Sequence, residues 1–596
     1  MKKRRDKNNT SLNPFSRGKF QFFHLYKEGV RRCVRLYSKI IYPIIFLFFL
    51  LALLVITANA KLFDERINEE LLEGFTEEIP TPPIADIIEY YEMNPIILRK
   101  ANSDELLQLP FFSSSDWERI LEAVNRNQFI TKKKIEDSLS LTIEQSLILE
   151  RCTKFETAGE SVGDKFQFRA RSKNYISKIR GIEEEKFSGS PLDFYQRGNY
   201  TSGSAELGLL TDKDIGEISL LDFFSGYLKA DVGNFRFIIG DYTVEAGMGN
   251  LLWKSYGLRK GSSVISTAAQ SGSGINPSRS SIEGGFLRGG VLQYSNSILE
   301  NISFKTIIWA SDINRAALAD SSGNFISSVY SGGYFRTESD IEKKDNLNEQ
   351  IYGGLAELRL NSFTFGVLSY FINYSKEIAS DSKSIFSGKS GLLSSVYSYY
   401  IFSDGMLGTE ISLDAKGNTA IQTGLELNGS AADAAFHFRL FPDEFRSPFG
   451  YNFGENSFPA NEESFYAALR YKGIDKIVVS SFLDIYRTFA KTYTCPVPVK
   501  GLELFCEPVW SYSKTGAMSG RIRYENKTGS TSDSSGAELV YQGSKTSLRL
   551  EVSDEIANSL RIRFRFETAK INFGDSKPDE SGYSGFMEFD YQPFKI

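Results

Sequence analysis

Leu560 to Glu567 reads Leu-Arg-Ile-Arg-Phe-Arg-Phe-Glu. In an extended chain successive side chains point to opposite faces. Leu560, Ile562, Phe564 and Phe566 therefore share an apolar face, and Arg561, Arg563, Arg565 and Glu567 share a charged one. Such a strand cannot sit in a dry core on both sides. It belongs either to a soluble sandwich with its charges in bulk water, or to a membrane barrel with its apolar side to lipid and its charges in a wet lumen.

The beginning of the chain favours the second option. Lys2, Lys3, Arg4, Arg5, Arg31, Arg32, Arg35 and Lys39 make the leader strongly basic, and Ile40 to Ile56 then carries no charge. Ala58-x-Ala60 fits the small-residue pattern of a cleaved secretory signal. We expect residues 1–60 to be a signal peptide with a long basic leader, cleaved after Ala60. An uncleaved membrane anchor is the alternative.

The net charge of −5 gives no basic signature for nucleic acid. The 30 Tyr, 47 Phe and 49 Gly suit a β-rich exported chain with aromatic girdles. Of two histidines, His24 is in the leader and His437 falls on the polar face of another alternating stretch. Ser-His-Asp and Cys-His machinery and histidine-rich zinc sites are thereby excluded in their usual forms. No phosphate-binding GxxxxGK[ST] loop occurs. We expect no enzyme activity, no cofactor and no metal. Cys495 and Cys506, in a Pro-rich stretch, are a candidate loop disulfide in an oxidising compartment.

Residues 61–99 read as a lead-in, with the charged, Pro-rich run Glu77 to Pro83 and a short helix near Ile84–Tyr91. Residues 100–155 switch to helical periodicity. Asn102-x-x-Glu105, Ser115-x-x-Glu118 and Thr142-x-x-Gln145 have capping-box form. Leu106 and Leu109, then Trp117, Ile120, Leu121 and Val124, recur at helical spacing. Four short helices are expected, near 102–109, 115–126, 132–139 and 142–151. The segment resembles a tandem helix-hairpin-helix module. In the DNA-binding form of that family, a Gly-rich hairpin lets backbone amides hold a phosphate. Here Leu109-Pro110-Phe111-Phe112-Ser113 puts Phe111 and Ser113 where the glycines stand, and residues 61–155 as a whole are acidic on balance. The resemblance thus implies a degenerate module. Lys132, Lys133 and Lys134 are its one basic cluster and its only candidate nucleic-acid contact.

Beyond residue 160 alternation takes over. Phe166, Phe168 and Ala170 alternate with Gln167, Arg169 and Arg171. Leu548, Leu550 and Val552 alternate with Arg549 and Glu551, and Met587, Phe589 and Tyr591 with Glu588, Asp590 and Gln592. The fold expected for 160–596 is a large antiparallel transmembrane β-barrel of about 14–20 strands, preceded by a small all-α module. Closure would remove the exposed edges of so long a sheet.

Several blocks occur in order behind the helical segment. They are Thr211-Asp212-Lys213-Asp214-x-Gly216-Glu217, Asp222-Phe223-x-Ser225-Gly226-Tyr227, Gly240-Asp241-Tyr242 and Gly247 to Trp253. Asn276-Pro277, Phe286-Leu287-Arg288-Gly289, Gly333 to Glu338 and Asn461-Glu462-Glu463 follow. The combination resembles a family of exported Gram-negative proteins that place a degenerate tandem helix-hairpin-helix segment before an outer-membrane β-barrel. The resemblance implies a barrel in the outer membrane, in contact with its lipid, with the module in the periplasm and open to a protein partner there. It carries no settled activity. Asp212, Asp214, Glu217, Asp241, Arg288, Arg336 and Glu338, with Arg561, Arg563 and Arg565, form a candidate lumen charge cluster. They either set selectivity or brace the wall. The expected function is non-enzymatic: solute passage or binding, or an envelope scaffold. DNA binding or uptake through the module and a secreted β-rich hydrolase are the alternatives.

Overall fold

A computed structural model of the chain describes residues 83–591, apart from 102, 126–130, 140, 156–162, 176–178, 254–259, 300, 331, 380–385, 457, 514, 533–537, 558–559 and 575. The leader and cleavage site at 1–60 and most of the lead-in lie outside the described residues.

Among the described residues five helices come first: α1 Pro83–Met93, α2 Ser103–Leu106, α3 Ser114–Asn125, α4 Lys132–Leu139 and α5 Ile143–Cys152. Their apolar stripes meet as the sequence spacing predicts. Leu106, Leu109, Trp117, Ile120 and Val124 are buried in one core, with Leu121 packed at its edge. Phe112 stacks on Trp117 at 4.2 Å between ring centroids. A two-residue parallel pairing of Ile96–Ile97 with Thr153–Lys154 ties the two ends of the module together.

Twenty-three strands among the described residues form one closed barrel. Three of them, Gly274–Pro277, Ala317–Ala319 and Phe325–Val329, are bypassed, because the strands flanking them pair directly. Twenty therefore build the wall, at the top of the expected range, and the short strands take the total beyond it. β1 to β5 are Lys165–Lys173, Asp193–Ser202, Ala205–Lys213, Phe223–Val232 and Phe235–Glu245. β6 to β10 are Leu287–Leu299, Ile302–Arg315, Leu347–Leu360, Phe363–Ile378 and Gly388–Phe402. β11 to β15 are Gly405–Leu413, Thr419–Asn428, Ala432–Phe441, Glu462–Ile474 and Ile477–Lys491. β16 to β20 are Pro498–Trp510, Ala517–Ser532, Glu538–Ala557, Leu560–Asn572 and Glu580–Tyr591.

The two ends of the barrel differ. At one end tight turns such as Gly203-Ser204, Gly233-Asn234 and Asn361-Ser362 join the strands, and Gly203, Gly233 and Asn361 take the positive φ that twisted hairpins need. The chain enters β1 and leaves β20 at this end. At the other end lie the long connections 246–286, 316–346 and 442–461. Short turns at one rim and long loops at the other are the pattern of bacterial barrels, short turns inward to the cell.

Register fixes which face is which. Leu548, Leu550, Val552, Phe564 and Phe566 are exposed on the outside of β18 and β19, whereas Glu551 lies opposite Arg565 and Ser553 opposite Arg563 on the inside. The arginines of the opening motif therefore face the lumen, and the outer wall presents an apolar belt.

Candidate functional site

The helical module fills the short-turn mouth of the lumen. Its polar contacts fall on inward side chains around much of the wall. Arg169 of β1 pairs with Glu89. Gln167 meets Asn94 at 2.8 Å, and Arg197 of β2 donates to the Asp86 carbonyl at 3.0 Å. Lys305 of β7 approaches Asp104 at 3.4 Å, and Arg359 of β8 holds Glu118 at 3.0 Å. Across the barrel, Ser113 donates to Glu426 of β12 at 3.0 Å, Asn428 to Ser115 at 2.9 Å, and Arg470 of β14 to Gln145 at 3.3 Å.

A second filling comes from the other end. The 246–286 connection folds inward, and Met248, Leu251, Leu252, Val264, Ile265, Ala268 and Ala269 are buried. The Gly247–Trp253 block explains its own chemistry. The amides of Met248 and Asn250 donate to one oxygen of Glu410 at 2.6 and 3.2 Å, and Gly247 takes φ 61 beside that carboxylate. The connection then lies so close to β12 that a Cβ on Gly424 would sit 1.7 Å from the Ala268 carbonyl oxygen. Its Ser271 hydroxyl meets Ser114 of α3, so the two fillings touch.

Along β17 to β20 the lumen is less filled. The inward side chains of Arg523 and Lys527 are 38% and 48% exposed, and Glu567 is 32% exposed. On the filled side, Arg439 and Asp484 are at 0%. The crescent beside Arg523 and Lys527 carries paired opposed charges, of which Arg563 and Glu551 are themselves covered at 3% and 5% exposure. Arg549 pairs with Glu567 at 2.9 Å, Arg565 with Glu551 at 2.6 Å, and Arg563 with Glu551 and Glu588 at 3.3 Å each. Arg561 belongs to the same ladder, opposite Glu555 and Asp590.

The remaining members of the expected lumen cluster do not share one place. Asp212 faces inward at the end of β3, and Asp214 and Glu217 lie just beyond it among the long loops. There Glu217 accepts from the Asp214 amide at 2.8 Å and the Phe335 amide at 3.1 Å. Arg336 stacks on Tyr334 at 3.8 Å. Three of the sequence blocks thus converge, since Asp222 and Gly333 also border this site. Glu283, which no motif marks, joins Glu217 and Asp222, with one oxygen of each within 4.8 Å of the others. Burial pushes Glu217 up to about 7 and Glu283 up to about 9, the neighbouring carboxylates adding to the rise in Glu283. Asp214 is raised to about 6, by burial first and then by Asp212. Three oxygen donors at this spacing are fewer than the six or more oxygens a hard divalent cation takes. The Lys344 ammonium, 2.9 Å from Asp222, already supplies one positive charge.

Three expectations are corrected. Asp241 and Arg288 leave the lumen. They are opposite one another in register, while their neighbours Tyr242 and Leu287 are buried inside. Their 2.6 Å ion pair therefore lies on the outer face, where Arg288 also donates to the Phe224 carbonyl and Asp241 accepts from the Gly226 amide. Glu338 is an exposed residue of a one-turn helix whose capping box is Thr337 and Asp340. Cys495 and Cys506 are free thiols. Cys495 packs against Tyr486 and Val499 above the β15–β16 hairpin. Cys506 lies opposite Ser481, eight residues along β16 from Pro498, roughly 26 Å at the rise of a strand and far beyond the reach of a bridge.

In the hairpin of the module Phe111 takes φ 70, the left-handed region that favours glycine. The hairpin's amides are engaged, however. Ser113 N–H donates to Asp116 and Asp116 N–H to the Ser113 hydroxyl, and Ser113 to Asp116 are all buried. Lys132 donates to the Glu150 carbonyl at 2.6 Å and Lys134 is exposed. His437 is buried in the lumen with its ring 4.8 Å from Phe453.

No protein-family model matches the chain, and no curated protein does. Solved structures similar to it include a loop-deletion mutant of OmpT, an outer membrane protein of Vibrio cholerae, at 10% identity and TM-score 0.22, covering 72% of this chain and 97% of that one. Pseudomonas aeruginosa OccK3 is similar at 10% identity and TM-score 0.28, over 72% and 93% of the two chains. The FrpB iron transporter of Neisseria meningitidis is similar at 8% identity and TM-score 0.35, over 71% and 73%.

Proposed function

We propose that this protein is a non-enzymatic outer-membrane β-barrel that passes or binds small hydrophilic solutes along the wet crescent beside β17–β20. The observation that carries this reading is the contrast between Arg523, Lys527 and Glu567 of that arc, partly exposed, and Arg439 and Asp484 of β13 and β15, fully covered. The apolar outer belt supports a lipid environment, and the asymmetric ends support an orientation with the short-turn end and its helical module toward the periplasm. In this reading the module and the 246–286 connection narrow the lumen to a path that excludes large solutes. Guanidinium–carboxylate pairs along the path hold its walls apart and offer both charge signs to what passes.

The test is conductance in planar bilayers. Purified full-length protein that shifts on gels with heating should give a small, steady conductance in KCl. Ser547→Trp or Ser584→Trp, each adding bulk on the crescent side, should reduce it at least severalfold. A folded protein without conductance, or one indifferent to both substitutions, refutes the reading. Recovery in the soluble fraction without detergent refutes the membrane assignment.

A further inference from the structure

Lys260 leaves the inward connection and buries its side chain to 6% exposure among wall carboxylates. Its ammonium lies 2.7 Å from Asp484 of β15 and 3.0 Å from Glu503 of β16, and it pairs with Glu455 of the 442–461 connection. The Tyr486 ring lies 5.3 Å away. A compact ammonium with three donors on a flexible stem suits three converging carboxylates better than a planar guanidinium does. Two residues on, the Ser262 hydroxyl donates to Glu507 and accepts from Arg521 at 2.7 Å. The Lys260–Ser262 edge is thus the seam between the filled lumen and the crescent, because its partners Arg521, 10% exposed, and Arg523, 38% exposed, belong to β17, the first strand of that arc.

The wall at this seam carries more acid than base. Glu503 is also held by Arg523 at 2.6 Å, Asp484 by Arg439 at 3.0 Å and Glu507 by Arg521 at 3.0 Å. Arg439 is shared with Glu462 at 2.9 Å. With Lys527 and its partner Glu525 included, three wall arginines and one lysine face six carboxylates, counting Glu455, and Lys260 supplies the fifth positive charge.

We propose that Lys260 is the residue that sets the charge selectivity of the conduit. It is a counter-ion tethered to the inward connection, and it holds in check a wall that by itself prefers cations of potassium or ammonium type. This inference rests on the conduit reading above. A unit charge about 8 Å from a permeant ion in water-like surroundings changes its occupancy roughly two- to threefold, in opposite senses for K⁺ and Cl⁻. Removing Lys260 should accordingly raise the K⁺ to Cl⁻ permeability ratio about fivefold.

The experiment is the reversal potential across a KCl gradient for full-length protein, Lys260→Met and Glu503→Gln, each first checked for heat-dependent gel migration. Lys260→Met should shift the ratio toward K⁺ by about that factor, and Glu503→Gln toward Cl⁻. If Lys260→Met does not fold, Glu503→Gln decides alone, and an unchanged ratio overturns the proposal. Wild-type conductance with an unchanged ratio in both variants sinks this inference and leaves the conduit standing. Absence of conductance in every folded protein sinks both.

Discussion

At the scale of single residues, burial decides what a charge is worth here. Arg439 and its partners Glu462 and Asp484 are covered on all sides. Removing one partner of such a group strands the others in a low-dielectric interior, at a cost of about 3–5 kcal/mol. Arg439→Met should lose stability on that scale in urea unfolding from lipid vesicles. Arg487→Ala, which breaks the exposed pair with Glu463, should lose no more than about 1 kcal/mol. The carboxylates at the long-loop end make a pH prediction of definite sign. Glu217 and Glu283 hold their protons more tightly folded, to about 7 and about 9, than in an unfolded chain, where glutamate titrates near about 4.3. The stability tied to their protonated forms is complete below that unfolded value and drains away as pH rises through 7 and then 9. Amide exchange in loops 214–222 and 332–345, corrected for intrinsic rates, should quicken between pH 5 and pH 9. Glu283→Gln should flatten the upper part of that rise, and an unchanged profile would count against the cluster.

Among the elements, the helical module shows what periodicity reveals and what it conceals. The four helices after residue 100 and their apolar stripes follow from spacing alone, and the Thr142–Gln145 capping box forms as its sequence predicts. The cap of α3 does not sit at Ser115 and Glu118. It moves to Ser113 and Asp116, because Ser115 is drawn to Asn428 and Glu118 to Arg359 of the wall. A local motif cannot register a partner hundreds of residues away. Phe111 is the sharper case. A bulky residue at φ 70 is strained, and here its ring, 5% exposed in the module core, offsets the strain. Phe111→Ala keeps the strain and loses the ring, so it should cost the module about 3–5 kcal/mol. Phe111→Gly loses the ring but relieves the backbone, and should be milder by about 1–2 kcal/mol. Protease resistance of residues 83–155 in the intact protein would rank the two, and Gly no milder than Ala would discredit the strain.

For the whole molecule, alternation revealed the architecture, and followed strand by strand it also gives the faces. The apolar and charged faces of β18 and β19 are oriented as Leu560–Glu567 implies, and a barrel of twenty wall strands fits the length available. Asp241 has the parity of Phe235, Phe237 and Ile239, all exposed outside, in an unbroken register with the strand of Arg288, so the pair falls on the outer face; the chemistry of its block, not parity, groups it with the lumen charges. Gly240 and Gly289 lie opposite one another with φ 104 and 154, where a Cβ would come within 2.2 Å and 2.3 Å of neighbouring carbonyl oxygens. The register nevertheless runs through both glycines unbroken. The orientation of the wall as a whole is testable in the same terms. Leu550, 52% exposed on the outer face and opposite Phe566, lies within the apolar belt. Leu550→Arg puts a charge into lipid and should cost about 2–4 kcal/mol if it lies near the bilayer midplane. Ser584, on the inner face opposite Glu567, accepts an arginine beside a carboxylate in water. Ser584→Arg should change stability by no more than about 0.5 kcal/mol. Urea titrations of folding into lipid vesicles measure both. A soluble sandwich with the same strands would tolerate Leu550→Arg at its surface only if that face met water, so equal tolerance of the two arginines would overturn the lipid-facing assignment.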